Sequence, residues 1–152
     1  MLKSKIEMRE TAIEDAKDLY EWRCDKLTQM FSFNSSEFSF SDHCRWLKRK
    51  IGSENNLLLT GYVDGWRVGL VRFEVEPSKQ TAWISINVNP KFRGKGLSNE
   101  MLRRSLQIFR SKYSEKVIAK IMIGNKISAQ AFRSAGFERL SVSDGVIVFG
   151  HD

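Results

Sequence analysis

Arg93-Gly94-Lys95-Gly96-Leu97-Ser98 puts two glycines and two cations into six residues, shortly after Pro90. The chemistry such a stretch serves is anion binding. Glycine has no Cβ to block a close approach and takes φ > 0 freely. Arginine and lysine add positive charge. A helix that follows adds backbone N–H groups without intrahelical partners and the positive end of its dipole. The stretch therefore reads as a pyrophosphate cradle. It is not a dinucleotide fingerprint, because the residue three after Gly96 is Asn99 rather than glycine. Nor is it a Walker loop, which needs a second glycine followed by Lys and Ser or Thr. The plain alternative is a basic, glycine-rich surface turn ahead of an ordinary helix.

A strand and a helix must position this loop. Ile84, Ile86 and Val88 alternate with Ser85 and Asn87, the period of a half-buried strand. Leu97, Met101, Leu102, Leu106 and Phe109 share one helical face. Upstream, strands are expected at 57–63, 66–75 and 80–88, the first two joined by an Asp64-Gly65 hairpin turn. Downstream, a strand is expected at 116–123 and a helix at 126–135, opened by Asn125 and stopped at Gly136. Strands at 136–142 and 146–149 follow, joined by Asp144-Gly145.

The first third is expected to hold a strand over 3–9, with Ile6 and Met8 on one face. Thr11 and Glu14 form a capping-box pattern for a helix reaching Leu27, in which Trp22 packs. Ser41 is the expected cap of a second helix, 42–51, with Cys44, Leu47 and Ile51 on its inner face. His43 sits in its first turn, where the dipole disfavours imidazolium and leaves a neutral base; a surface histidine without a role is the other reading. Between the helices, Phe31, Phe33, Phe38 and Phe40 lie among Ser and Asn. Each ring gains roughly 1.5–3 kcal/mol by burial, so a loop folded onto the core is expected, with an aromatic acceptor wall as the alternative. The order β-α-α-β-β-β-α-β-α-β-β gives an α/β (α+β) fold: one domain over 1–152, a mixed twisted sheet of about seven strands and about four helices.

Composition narrows the function. The length of 152 residues suits one domain, and 41% hydrophobic with 28% charged residues suits a packed core. No apolar run approaches the ~20 residues of a membrane span, and no signal-peptide pattern opens the chain, so a cytoplasmic protein without membrane contact is expected. Cys24 and Cys44 form neither a C-x-x-C pair nor a disulfide framework, and no metal site is expected. The net charge of +7 invites nucleic acid, but the cations are scattered and do not alternate with aromatics. They serve an anionic cofactor or substrate equally well, and nucleic acid is disfavoured.

Arg93-x-x-Gly96-x-Ser98 resembles the acyl-CoA pyrophosphate loop, Q/R-x-x-G-x-G/A, of the GNAT superfamily of N-acetyltransferases, with Ser98 in place of the last small residue. Asn125-x-x-Ser128-x-x-Ala131-Phe132-x-x-x-Gly136-Phe137 is similar to that family's N-x-x-S/A…L-Y-x-x-x-G-F segment. The element order matches across nearly the whole chain. Glu21-Trp22-Arg23-Cys24-Asp25 and His43-x-x-Trp46 further resemble the W-R-N-D…H-x-x-W pattern of acetyltransferases in bacterial surface-sugar (pseudaminic acid type) biosynthesis, with Cys24 replacing the usual Asn.

The resemblance implies direct acetyl transfer from acetyl-CoA, as co-substrate, to a primary amine. It places the pyrophosphate on Arg93, Gly94, Lys95, Gly96, Leu97 and Ser98, the pantetheine arm beside Ile86 and Val88, and further cofactor contacts at Asn125 and Phe132. A backbone N–H at Val88 or its neighbour would meet the thioester oxygen. Where many relatives carry a tyrosine acid this chain has Phe132, so Ser128 or a water must protonate the leaving thiolate. Glu74 and His43 are the candidate bases. The implied acceptor is an amino group on a nucleotide-linked amino sugar. A protein N-terminal acetyltransferase of the ribosomal-protein type and a non-enzymatic nucleic-acid module are the alternatives, and the protein is expected as monomer or homodimer.

Overall fold

The structure, a computed structural model, describes residues 5–34 and 37–152. Lys3 and Ser4 of the expected first strand, and Ser35 and Ser36 of the phenylalanine loop, lie outside the described residues. Seven strands form one sheet: β1 (Glu7–Glu10), β2 (Asn56–Val63), β3 (Trp66–Glu76), β4 (Thr81–Val88), β5 (Lys116–Met122), β6 (Glu138–Ser143) and β7 (Val146–His151). Their spatial order is β1-β2-β3-β4-β5-β7-β6. Only β4 and β5 run parallel; every other pair is antiparallel. Five α-helices accompany them: α1 (Ala16–Arg23), α2 (Lys26–Met30), α3 (Phe40–Ile51), α4 (Leu97–Lys112) and α5 (Lys126–Ser134).

Strand alternation sorts the side chains into two cores. Val71, Phe73, Val75, Ala82 and Ile84 bury one face against Met101, Leu102, Leu106 and Phe109 of α4 and Phe132 of α5. On the other face Leu58 meets Ala16, Leu19 and Trp22 of α1 and Leu47 of α3. Asp64 and Gly65, with φ of 50° and 81°, and Asp144 and Gly145, with φ of 52° and 74°, make the two tight hairpins that the Asp-Gly pairs predict.

Several local expectations in the first third give way. Thr11 does not cap a helix: it is buried, and its Oγ1 lies 2.8 Å from Thr60 Oγ1. Asp15 takes the capping part, accepting from the Ala12 N–H at 2.9 Å. The helix expected to reach Leu27 breaks at Cys24 and Asp25, because Asp25 turns extended (ψ 134°) and its carboxylate caps Thr28 N–H at 3.1 Å. This break makes five helices out of the expected four. Ser39, not Ser41, caps α3, accepting from Asp42 N–H at 3.0 Å. The phenylalanine loop is not folded into the core: Phe33 and Phe40 are 54% and 45% exposed, and Phe31 and Phe38 are half-buried. On α3, Ile51 is exposed, while the expected surface residue His43 is buried.

Asp15 illustrates how the first face is tied down. Its carboxylate accepts from Tyr62 Oη at 2.5 Å, Arg67 Nε at 2.6 Å and Thr60 Oγ1 at 3.2 Å. Burial pushes its pKa up, but these hydrogen bonds, the Ala12 N–H and the Arg67 charge outweigh burial and hold it below the ordinary carboxylate value.

Candidate active site

The two parallel strands create the site. β4 and β5 pair only from Thr81↔Lys116 to Trp83↔Ile118, and no ladder joins Ile84–Val88 to the rest of β5 among the described residues. Beyond Trp83 the strands part. Both lead into helices at that same end, α4 after β4 and α5 after β5, so two helix N-termini face one crevice. Crevices outside the carboxyl ends of parallel strands are where α/β sheets bind ligands.

The glycine loop forms the α4 side of the crevice. Asn89 shapes its start, accepting from Lys91 N–H at 3.0 Å and donating to Arg67 O at 2.9 Å. Gly94 and Gly96 take φ of 75° and 72°, and the space where a Cβ would stand is open at both. Helices α2, α3 and α5 are each capped by a side chain, whereas α4 is entered through Gly96 with no side-chain cap. Its first turn thus lacks a capping side chain, and the loop above it is open at both glycines. Lys95 is exposed, Ser98 half-buried, and the Leu97 side chain is buried in the core, leaving its backbone for the loop. Arg93 turns away from the loop: Nη2 donates to Asp25 Oδ2 at 2.6 Å and to Thr28 Oγ1 at 3.0 Å. Ile86 and Val88 are half-buried on the parting stretch of β4, opposite Val71 and Gly69 of β3.

On the α5 side, Asn125 caps the helix through Ser128 N–H at 3.3 Å, and Ser128 is half-buried in the first turn. Phe132 is fully buried, edge-on to Phe137 with centroids 5.0 Å apart and stacked on Phe149. It presents no side-chain surface to a ligand. Glu74 stands opposite Trp83, where the strands are still joined, and its carboxylate pairs with Lys50 Nζ at 3.6 Å. Val88 stands opposite Gly69, five residues away and roughly 16 Å along the strand at ~3.3 Å per residue. His43 is 2% exposed; its ring stacks on Trp46 and its Nδ1 lies 3.4 Å from Arg23 Nη1. Burial and the Arg23 charge pull its pKa down to about 4. The crevice therefore gathers the loop, Ile86, Val88, Asn125 and Ser128, but not Glu74 or His43.

A family model described as an acetyltransferase (GNAT) domain matches residues 5–138. The chain belongs to the GNAT acetyltransferase family. It is an acetyl-CoA-dependent N-acetyltransferase. No curated protein matches its sequence. Among solved structures, a domain from Methanocaldococcus jannaschii DSM 2661 superposes with a TM-score of 0.81 at 21% identity, covering 98% of this chain and 99% of that one. Spermidine N-acetyltransferase from Vibrio cholerae, solved with CoA and spermine, gives 0.84 at 15% identity over 96% and 93%. A ribosomal alpha-N-protein acetyltransferase, RimL, solved with coenzyme A, gives 0.83 at 14% identity over 99% and 96%. These likenesses establish the GNAT fold; their acceptors differ from one another.

In this GNAT enzyme the face of the sheet carrying α1 to α3 holds residues that the sequence did not single out as site residues. Thr28 Oγ1 lies 3.3 Å from Asn87 Oδ1, and a Cβ on Gly124 would sit 3.7 Å from the Phe31 ring. So α2 and the segment after it reach from the end of β4 towards the end of β5. A cavity of about 510 Å³ opens nearby, lined by Tyr20, Cys24, Gln29, Glu37, Phe38, Ser39 and Asp42. Asp25 carried one usable signal, an Asp three residues before Thr28 in N-cap spacing.

Proposed function

We propose that the enzyme acetylates an amino group of a nucleotide-linked amino sugar. The observation that carries this reading is the aromatic surface on the acceptor side. Phe33 and Phe40 stay exposed, and Phe38 and Tyr20 border the cavity above α1. Rings left in water at the cost of their burial energy fit a nucleobase or a deoxysugar face. Phe40 meets Tyr20 edge-on at 5.4 Å, and Tyr20 Oη donates to Phe38 O at 3.0 Å, so the surface is held in shape before any ligand arrives.

The open loop of Gly94 and Gly96 and the uncapped start of α4 fit a pyrophosphate, with Lys95 as its cation and backbone N–H groups of 96–98 as donors. Ile86 and Val88 would flank the pantetheine arm in the gap between β4 and β5, with Asn125 and Ser128 across it. In the transfer the acceptor nitrogen bonds to the acetyl carbon as the carbon–sulfur bond breaks. The nitrogen gives up a proton and the sulfur gains one. Glu74 is spent on Lys50 and His43 is buried with low basicity, so we assign the first proton to solvent. Ser128 or a water at the α5 N-terminus supplies the second.

The test is CoA release from acetyl-CoA with amino-sugar nucleotides, the same sugars without nucleotide, polyamines and short peptides. Fastest turnover is expected with a sugar nucleotide. Faster turnover of peptides would instead give a protein N-terminal acetyltransferase, and faster turnover of polyamines would overturn both.

A further inference from the structure

Two guanidinium groups lie against one ring, Trp46, on the face of the sheet that carries α1 to α3. Arg72 leaves β3 opposite Ser85 of β4, with Cζ 5.2 Å from the Trp46 ring centroid. Arg23, at the end of α1, has Cζ 5.0 Å from the same ring and 3.4 Å from that of Phe38. Both side chains are half-buried. Neither takes part in an ion pair among the described residues. The Glu74 carboxylate, two residues along β3, raises the Arg72 pKa and so opposes its burial in part, but its ion pair is with Lys50. The polar neighbour of Arg23 is the neutral ring of His43, 3.4 Å away.

Such a pair is costly to keep. Burial pulls the pKa of both arginines below the ordinary value, and the Arg72 charge adds to the effect on Arg23. Arginine nonetheless stays protonated near neutral pH, so the repulsion remains. Exposed cations would avoid it by moving apart, but here Trp46 contacts both groups, and Phe38 and His43 also hold Arg23. An arrangement of this kind is completed by an anion, for which paired, pre-oriented guanidiniums are the preferred donors.

We propose that Arg23 and Arg72 bind an anionic group of the acceptor, a phosphoryl or carboxylate oxygen, while its amine reaches the crevice. Arg72 lies at the level of Ser85, three residues before Val88, or roughly 10 Å at ~3.3 Å per residue. The acceptor is thus an amine with a negative charge about that far from its nitrogen. The inference rests on this face being the acceptor side, but not on the acceptor being a nucleotide sugar. It disfavours polyamines, whose second ammonium would meet two like charges.

The experiment compares amines matched except for the anion: an amino sugar, its 1-phosphate, its nucleotide-linked form and its uronic carboxylate. The wild type is expected to show kcat/KM at least tenfold higher for a charged form than for the neutral one. Arg23→Gln and Arg72→Gln should each cut that ratio about tenfold with the KM for acetyl-CoA held, and Arg72→Lys should restore part of it. The preferred charged form identifies phosphoryl or carboxylate as the source. Equal kcat/KM for neutral and charged amines, or equal losses for both in the variants, overturns the proposal. A second measurement does not need turnover. Inorganic pyrophosphate, titrated into CoA-saturated protein, should raise Tm for the wild type but not for the folded double variant Arg23→Gln, Arg72→Gln. No shift in the wild type, or the same shift in both, overturns the anion site, whereas failure of sugar nucleotides alone overturns only the acceptor assigned above.

Discussion

Arg93 of the glycine loop donates to Asp25, the cap of α2, at 2.6 Å, and the same nitrogen donates to Thr28 at 3.0 Å. Thr28 in turn meets Asn87, one residue before the end of β4. Helix α2 has five residues and buries none of its side chains. An isolated helix of that length does not persist in water. This polar clasp is therefore a main hold on α2, and it runs directly from the glycine loop to the helices on the α1 to α3 face of the sheet.

Asp25→Ala removes both the α2 cap and the clasp. The acceptor KM is expected to rise several-fold, more than the KM for acetyl-CoA, because the loop keeps its glycines while α2 loses its anchor. Stability should fall by about 1 kcal/mol, the scale of a cap plus a partly exposed ion pair. The Arg93 hydrogen bond is the largest influence on Asp25 and holds its pKa below the ordinary value. A depressed carboxylate pKa stabilises the fold above the unfolded value of ~3.9 and loses that contribution as pH falls through the folded value. The variant should therefore unfold with a shallower acid limb below about pH 4. Equal movement of both KM values would show that the clasp does not single out the acceptor.

Much of the fold was legible because it rests on short-range rules. Asp64-Gly65 and Asp144-Gly145 dictate hairpins, and Leu97, Met101, Leu102, Leu106 and Phe109, all buried, dictate the helix after the loop. What stayed hidden is long-range. Thr11 chose Thr60 over a helix N–H, 49 residues away, and Asp25 chose Arg93, 68 residues away. The four phenylalanines were expected in the core because burial is the default for an isolated ring; Phe33 and Phe40 stay exposed and Phe31 and Phe38 are only half-buried. Arg23 and Arg72 reach the same Trp46 ring only through the packing of α1 and α3 on the sheet, which no local spacing encodes.

Gly96 should be the least replaceable residue of the loop. Its φ of 72° is disfavoured for a residue with Cβ, and the open space above it is where the ligand must come close. Acetyl-CoA is expected to raise the wild-type Tm by mass action. Gly96→Trp should abolish that shift. A tryptophan variant that is stabilised by acetyl-CoA as strongly as the wild type would place the cradle elsewhere.

Phe132 occupies the position where a tyrosine acid would be sought, yet its ring is fully enclosed by Phe137 and Phe149. Phe132→Tyr would bury a hydroxyl with no partner at hand, at about 1–3 kcal/mol. Phe132→Ala would open a cavity at about 3–5 kcal/mol. Thermal unfolding should rank the two in that order, and neither should raise kcat. A gain in kcat for Phe132→Tyr would mean that the position does reach the leaving sulfur.

His43 sets an acid tolerance for the α1 to α3 face. Burial first, and then the Arg23 charge, bring its pKa to about 4, against an ordinary value of 6.5. The unfolded chain therefore binds a proton on this ring between those values and the folded chain does not. Stability contributed by the neutral ring is complete above pH ~6.5 and is lost progressively as pH falls towards ~4, where the folded ring also protonates. The full span amounts to on the order of 3 kcal/mol at 1.36 kcal/mol per unit. His43→Phe keeps a ring against Trp46 and Tyr20 but cannot protonate. Urea unfolding at pH 7.5, 6 and 5 should show the wild type losing stability faster than this variant with each step. The variant also frees Arg23 of a hydrogen-bonding neighbour, so its kcat/KM for an anionic acceptor should change, whereas a base catalyst would lose kcat for every amine. Parallel stability curves for the two proteins would mean that His43 binds its proton equally well in the folded and unfolded chain, and the low basicity assigned to it would be wrong.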